Sequence, residues 1–234
     1  MERRITTIGF DADDTLWQNE TFYRMTQDRF AGLLSNYTDP DPLHARLLEA
    51  ERRNLGHYGF GIKGFMLSMI ETAIEVTEGR VPASVIAEIL AAGQDMLAHP
   101  IDLLPEAEAT VRALAESHTL VLITKGDLLD QERKLAQSGL GEVFDAVEIV
   151  SDKKPSVYTR AFTMHGTGAD AAMMIGNSMK SDVLPALEAG AWGVFVPHGL
   201  TWELEHAKAP EDHPRYRELE TLGGVVDLLA QIES

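Results

Sequence analysis

The chain has 234 residues, of which 44% are hydrophobic and 24% charged, a composition typical of globular proteins with one large domain or a domain plus a smaller insert. It contains no cysteine, which excludes disulfides, thiol catalysis and thiolate metal sites. Its formal net charge of -17 opposes binding to nucleic acids and anionic membranes. No segment has the length of a membrane span or the apolar region of a signal peptide, so we expect a cytoplasmic protein.

The first predicted strand is the β-branched, apolar run 5–10, which stops at Asp11. From 17 to 99 the apolar residues recur instead at helical spacing, and no strand pattern interrupts them. Three breaks divide this stretch into four helical segments, at 39–42, 56–64 and 79–82, where proline or glycine occurs.

After Pro100, helical and strand patterns alternate. The predicted helices are 106–117, 128–137, 157–165, 181–189 and 225–232, and the predicted strands are 120–123, 146–150, 172–175 and 193–196. This alternation predicts an α/β fold with a doubly wound, mostly parallel, Rossmann-like sheet. We therefore expect a catalytic core formed by 1–16 and 100–234 and an all-helical insert at 17–99, a candidate lid over the strand ends.

Polar residues follow the predicted strands where each one ends. They are Asp11 and Asp13, Thr124, Lys154, and Asn177 with Asp182. The carboxyl ends of parallel strands share one edge of a sheet, so these side chains can converge there. Two carboxylates about 4 Å apart repel by roughly 4 kcal/mol at an effective dielectric near 20. An all-oxygen cluster of this kind suits Mg²⁺, and a carboxylate nucleophile is a known route to an aspartyl-phosphate.

The same residues resemble the signatures of the haloacid dehalogenase-like superfamily. Asp11-Ala12-Asp13-Asp14-Thr15 matches its Asp-x-Asp-x-Thr signature, and Thr124 at a strand end resembles the second. Lys154-Pro155 resembles the lysine signature, and Gly176-Asn177 with Asp182 resembles the metal signature. The four occur in the family's order, so the resemblance extends over essentially the whole chain.

This resemblance implies a Mg²⁺-dependent phosphatase that hydrolyses a small phosphorylated metabolite. Asp11 would be the nucleophile and a metal ligand, and Asp13 the general acid and base, with its backbone carbonyl on the metal. Thr124 and Lys154 would hold phosphate oxygens, and Asp182 would complete the metal site. The helical insert would be a substrate-selecting cap. Family members that dehalogenate lack an acid at the position of Asp13, so this residue favours an alkoxide leaving group.

Several positions depart from the family pattern or remain alternatives. Asn177 stands where aspartate is usual, so a metal would meet either its amide oxygen or a nearby serine, Ser178 or Ser181. Lys153 and Lys154 are adjacent, and the Lys-Pro pair favours Lys154 as the one that points inward. The candidate substrate-binding residues are Thr15, Lys125, Gly126 and Lys63.

Other functions remain open on the same residues. A phosphomutase would share this core, and a phosphonate hydrolase would need a cap lysine for a Schiff base, for which Lys63 is the candidate. A phospho-accepting signalling module also combines Asp, Thr and Lys on a parallel sheet. Its phosphorylated aspartate follows the third strand, however, whereas here the carboxylate pair follows the first. The possible substrates include sugar phosphates, nucleotides, phosphoglycolate and phosphorylated amino acids.

Overall fold

The computed structural model describes residues 4–233. Within this range six strands form one sheet, β1 (Thr7–Phe10), β2 (Thr119–Lys125), β3 (Ala146–Val150), β4 (Ala172–Gly176), β5 (Trp192–Phe195) and β6 (Tyr216–Glu218). They lie in the order β3-β2-β1-β4-β5-β6, and every neighbouring pair is parallel. The predicted α/β, doubly wound sheet is confirmed. No strand was predicted at β6, because it is three residues long and two of these are charged.

Nine α-helices occur in the described part of the chain. They are α1 (Glu20–Leu33), α2 (Pro40–Tyr58), α3 (Ile62–Val76), α4 (Ala83–Ala98), α5 (Ala107–Ala115), α6 (Leu128–Ser138), α7 (Pro155–His165), α8 (Leu184–Glu188) and α9 (Val225–Ile232). Among them, none combines the length and apolar character that a bilayer crossing demands.

The chain divides into two compact units. The first contains the sheet and comprises 4–20, 101–125 and 131–233, whereas the second is helical and comprises 21–100 and 126–130. The predicted insert, 17–99, differs from the second unit at its start because the side chain of Trp17 is fully buried in the core of the sheet. It also omitted the short segment 126–130.

The first unit is organised around β1. All four of its residues are buried, and it pairs with β2 on one side and with β4 on the other. In this register Phe10 lies opposite Leu122 and Ile175, so β1 ends one residue before β4 and three residues before β2. The connections run to opposite sides of β1, and in open parallel sheets ligands bind at the carboxyl edge where this direction changes.

The second unit has its own hydrophobic core. Its buried side chains come from all four helices and include Phe30, Leu34, Leu43, Leu47, Ile62, Phe65, Met69, Val85, Ile89 and Met96. Helix α2 begins with proline in its first turn and ends at Gly59, whose φ of 72° lies in the region that favours glycine. Local turn chemistry therefore sets two of the three predicted breaks, those at 39–42 and 56–64.

The segment after β4 differs from its prediction. Instead of one helix over 181–189, a π-helical turn at Met179–Val183 precedes the short α8. The hydroxyl of Ser178 accepts the Ser181 N–H at 2.9 Å and so caps this turn. Single π-helical turns occur frequently at functional sites, and this one carries Asp182.

Candidate active site

Asp11 lies directly after β1, and its carboxylate is buried. Its N–H donates to the carbonyl of Ile175 at 2.9 Å, which extends the pairing with β4 by one residue. The Nζ of Lys153 donates to Asp11 Oδ1 and, at 2.6 Å, to Asp182 Oδ1. The fold thus joins three residues from three different strand ends into one buried constellation.

The lysine in this site is Lys153, and the prediction that Lys154 points inward is wrong. The Lys153 side chain is 1% exposed, whereas that of Lys154 is 66% exposed and lies 3.3 Å from Asp152. Lys154 has extended backbone angles immediately before α7, and successive side chains of an extended segment point to opposite sides. Proline at the first position of α7 therefore fixes where the helix begins but does not select the preceding lysine.

The electrostatics of the constellation favour a cation. Burial, together with the charge of Asp182, raises the pKa of Asp11 to about 7, although Lys153 partly opposes this shift. Burial alone would lower the pKa of Lys153, but the carboxylates of Asp11 and Asp182 outweigh it and raise that pKa. One lysine therefore leaves the two buried carboxylates incompletely neutralised.

Oxygen atoms for a metal are provided around Asn177. With its amide turned to donate, the nitrogen lies 3.1 Å from Asp11 Oδ2 and 3.2 Å from the main-chain carbonyl of Asp13. Turning the amide over presents its oxygen at the same point. The hydroxyl of Thr15 accepts the main-chain N–H of Asn177 at 3.0 Å and donates to Asp11 Oδ2 at 3.3 Å. Thr15 therefore links the main chain of Asn177 to the carboxylate of Asp11.

The donor atoms fit Mg²⁺. In residues 4–233 no group of three His, Cys, Asp or Glu side chains could hold a metal by itself. A cation here would also need the Asp13 carbonyl and the Asn177 amide oxygen beside the carboxylates of Asp11 and Asp182. An oxygen-only set with two carboxylates and space for water is the kind that Mg²⁺ prefers.

The side chain of Asp13 is held by three donors. Trp17 Nε1 lies 2.7 Å from Oδ1, Lys134 Nζ lies 2.9 Å from the same oxygen, and Gln131 Nε2 lies 2.8 Å from Oδ2. Burial would raise the pKa of Asp13, but Lys134 and the other donors outweigh it and lower that pKa. Asp13 is therefore held as a carboxylate.

The other predicted residues lie in different settings. Thr124 is buried at the end of β2, and its hydroxyl donates to Gln131 at 3.3 Å. Lys125 forms an ion pair with Glu205 at 2.5 Å, so its positive charge is compensated. Gly126 has a φ of 145°, which only glycine adopts readily. Lys63, in the second unit, pairs with Asp127 at 2.9 Å. The substrate-binding roles of these residues stay predictions.

Sequence reasoning missed the residues that surround the predicted ones. Gln131 and Lys134 lie three positions apart on one face of α6, both buried, and both reach Asp13. Two polar residues on one face of a helix that follows a functional strand are the signal that could have found them. Glu205 carries no comparable signal, since it lies in a long connection between β5 and β6.

The fold and the site together are those of a hydrolase whose buried aspartate, lysine and second aspartate lie at the carboxyl edge of a parallel sheet. A family model described as haloacid dehalogenase-like hydrolase matches residues 5–190. The crystal structure of a haloacid dehalogenase-like family hydrolase from Xanthomonas campestris is 42% identical, with a TM-score of 0.87, and the match covers 98% of this chain and 94% of that one. This chain belongs to the haloacid dehalogenase-like hydrolase family and is an enzyme of that family.

More distant structures share the fold. The putative HAD-hydrolase YfnB from Bacillus subtilis, bound to magnesium, is 16% identical with a TM-score of 0.69, covering 97% of this chain and 99% of that one. A 2-haloacid dehalogenase from Pseudomonas syringae is 19% identical with a TM-score of 0.61, again covering 97% and 99%. No curated protein shows significant similarity to this chain.

Proposed function

We propose that this enzyme is a magnesium-dependent phosphatase that hydrolyses a small phosphorylated metabolite, with Asp11 as nucleophile. The observation that carries the proposal is the buried constellation of Asp11, Lys153 and Asp182, with the acid Asp13 two residues after the nucleophile. A phosphoryl group approaching a carboxylate needs nearby positive charge, because nucleophile and substrate are both anionic. Lys153 supplies part of this charge in the role first expected of Lys154.

The proposed reaction has two steps. A carboxylate oxygen of Asp11 attacks phosphorus, the bond to the leaving alkoxide breaks, and Asp13 gives that oxygen a proton. Asp13 then takes a proton from water, which attacks the phosphoryl group on Asp11 and releases inorganic phosphate. Asp11, Asp182, Asn177 and the Asp13 carbonyl would hold a Mg²⁺ ion. That ion would stabilise the charge of the phosphoryl oxygens as a Lewis acid.

The surroundings of Asp13 fit its second task directly. Lys134, Gln131 and Trp17 hold it as a carboxylate, the form that accepts a proton from water. Its first task requires a proton on the same group. The negative charge of an incoming phosphate acts in this direction, because a nearby anion raises the pKa of a carboxyl group. A dehalogenase needs no such proton donor, since halide leaves without one.

The proposal is tested by assaying an aryl phosphate with Mg²⁺ and with excess chelator. We expect hydrolysis that depends on Mg²⁺ and falls at least about 10³-fold in Asp11→Asn, because the amide is not a nucleophile. A 2-haloacid is the counter-substrate. Halide release from it, or full phosphatase activity in chelator or in Asp11→Asn, would refute the proposal.

A further inference from the structure

Glu205 closes a ring of polar contacts beside the proposed metal site. Its Oε1 lies 2.5 Å from Lys125 Nζ, and its Oε2 accepts the hydroxyl of Ser178 at 2.5 Å. Lys125 donates to the hydroxyl of Ser181 at 2.7 Å, and the Ser181 N–H donates to Ser178 Oγ at 2.9 Å. The ring therefore joins the end of β2, the π-helical turn after β4, and the connection that follows β5.

This ring is one hydrogen bond from Asp182. The Ser178 N–H donates to Asp182 Oδ2 at 2.9 Å, and Lys153 Nζ donates to the other oxygen, Asp182 Oδ1, at 2.6 Å. The side chains of Lys125 and Glu205 are only 15% and 12% exposed, so solvent screens their interaction weakly. Burial alone would raise the pKa of Glu205, but Lys125 and the serine hydroxyls outweigh it and lower that pKa. Glu205 is therefore held as a carboxylate.

We propose that Glu205 is a positioning residue that sets the cation affinity of the active site by cancelling the charge of Lys125, with which it pairs beside Ser178. This inference rests on the proposed function, because it concerns the Mg²⁺ that the phosphatase would use. Asp11, Asp182 and Lys153 together carry one net negative charge when both carboxylates are ionised. The positive charge of Lys125 would offset that negative charge, and the carboxylate of Glu205 balances it.

Charge compensation and simple tethering predict different results. If Glu205 only anchors the turn that carries Asp182, removing either partner of the pair loosens the site and weakens metal binding. If it balances charge, the two partners have opposite effects. Removing Glu205 adds one net positive charge beside the cation, and removing Lys125 takes one away. The direction of the change in the Lys125 variant therefore separates the two roles.

The experiment measures the dissociation constant for Mn²⁺, as a stand-in for Mg²⁺, from the electron paramagnetic resonance signal of the free ion without substrate. We expect Glu205→Gln to bind about tenfold more weakly than wild type and Lys125→Met to bind more tightly. Lys125→Met/Glu205→Gln should bind within about threefold of wild type. Glu203→Gln, two residues away at an exposed position, is the matched control and should bind like wild type.

Three outcomes would overturn the inference. They are equal affinity in Glu205→Gln and Glu203→Gln, weaker binding in Lys125→Met, or a double variant as weak as Glu205→Gln. If Glu205→Gln fails to fold, Lys125→Met and the double variant still decide. Both lack Lys125 and differ only at Glu205, so the ratio of their dissociation constants measures what Glu205 does without its partner. Wild type that binds no Mn²⁺ and is indifferent to Mg²⁺ in the phosphatase assay would instead refute the proposed function, and this inference with it.

Discussion

Lys153 and Lys154 have the same chemistry but opposite surroundings. Lys153 lies between two buried carboxylates, whereas Lys154 extends into solvent beside Asp152. Truncating one partner of a buried, hydrogen-bonded group of charges leaves the others uncompensated, which costs far more than losing a surface pair. The adjacent lysines thus form a natural pair of test and control positions.

We predict that Lys153→Met lowers phosphatase kcat/KM at least about 10²-fold, because the repulsion between Asp11 and the phosphoryl group is no longer reduced. Lys154→Met should retain activity within about threefold of wild type. Steady-state kinetics at saturating Mg²⁺ measure both. Equal losses in the two variants would contradict the assignment of Lys153.

The raised pKa of Asp11 predicts how stability depends on pH in chelator. Between its usual pKa of 3.8 and its folded value of about 7, Asp11 binds a proton more tightly in the folded chain than in the unfolded one. This contribution to the free energy of unfolding is fully present below about pH 4 and is lost as the pH rises through about 7. Asp14, whose pKa burial raises to about 6, acts in the same direction.

Asp11→Asn isolates the contribution of one carboxyl. Denaturant unfolding of the metal-free protein between pH 4.5 and 7.5 should show stability falling with pH in wild type. The fall should be smaller in Asp11→Asn, where only Asp14 and the remaining groups titrate. Identical slopes in the two proteins would show that Asp11 is ionised throughout this range.

At the scale of the elements, the pattern of apolar residues predicted the strands and helices that bury a face in a hydrophobic core. The first five strands were visible as short, largely apolar runs, because the central strands of a parallel sheet are buried on both faces. The four helices of the second unit were visible because apolar residues recur at helical spacing where one side faces a core. β6 was missed because pairing with β5, and not its own apolar content, makes it a strand. The π-helical turn was missed because hydrogen bonds around Ser178 select it.

The candidate site follows the same division. Asp11 and Asp182 meet at Lys153, and this convergence follows from the parallel pairing of β1 with β4, whose carboxyl ends share one edge of the sheet. The role expected of Thr124 stays a prediction. Two adjacent lysines look the same in the sequence, so only the backbone of the structure shows that Lys153, and not Lys154, points into the site. Glu205 could not be found, because its contacts depend on the path of an irregular connection.

The end of β4 offers a test at the element scale. A Cβ added at Gly176 would lie 2.7 Å from the Cβ of Asp182 and closer still to its carboxylate, so Asp182 would have to move. We predict that Gly176→Ala destabilises the fold by about 1–3 kcal/mol and weakens Mg²⁺-dependent activity. Thermal unfolding and kinetics measure the two effects.

Gly32 is the matched control for this substitution. It lies in α1, and a Cβ there meets no atom within 4 Å. Because alanine favours a helix over glycine, Gly32→Ala should stabilise the fold by about 0.5–1 kcal/mol and leave activity unchanged. A Gly176→Ala protein as stable and active as this control would mean that Asp182 can shift without consequence.

At the scale of the whole molecule, the net charge of -17 opposes the approach of an anionic substrate. Dissolved salt screens this repulsion beyond about 10 Å at 0.1 M ionic strength. We therefore predict that kcat/KM for a phosphate monoester rises with added KCl from low ionic strength to about 0.15 M, at saturating Mg²⁺. A steady decrease would mean that local positive charge, and not the global field, governs encounter.

The strand order also has a consequence for how the protein is made. β1 is central in the sheet, yet its partners β2 and β4 begin more than 100 and 160 residues later. On the ribosome the first strand emerges long before either neighbour, whereas the four helices of the second unit, 21–100, follow one another directly along the chain and meet through contacts that are local in sequence. The aspartate at the end of β1 is thus among the first residues synthesised, and its surroundings are among the last to form.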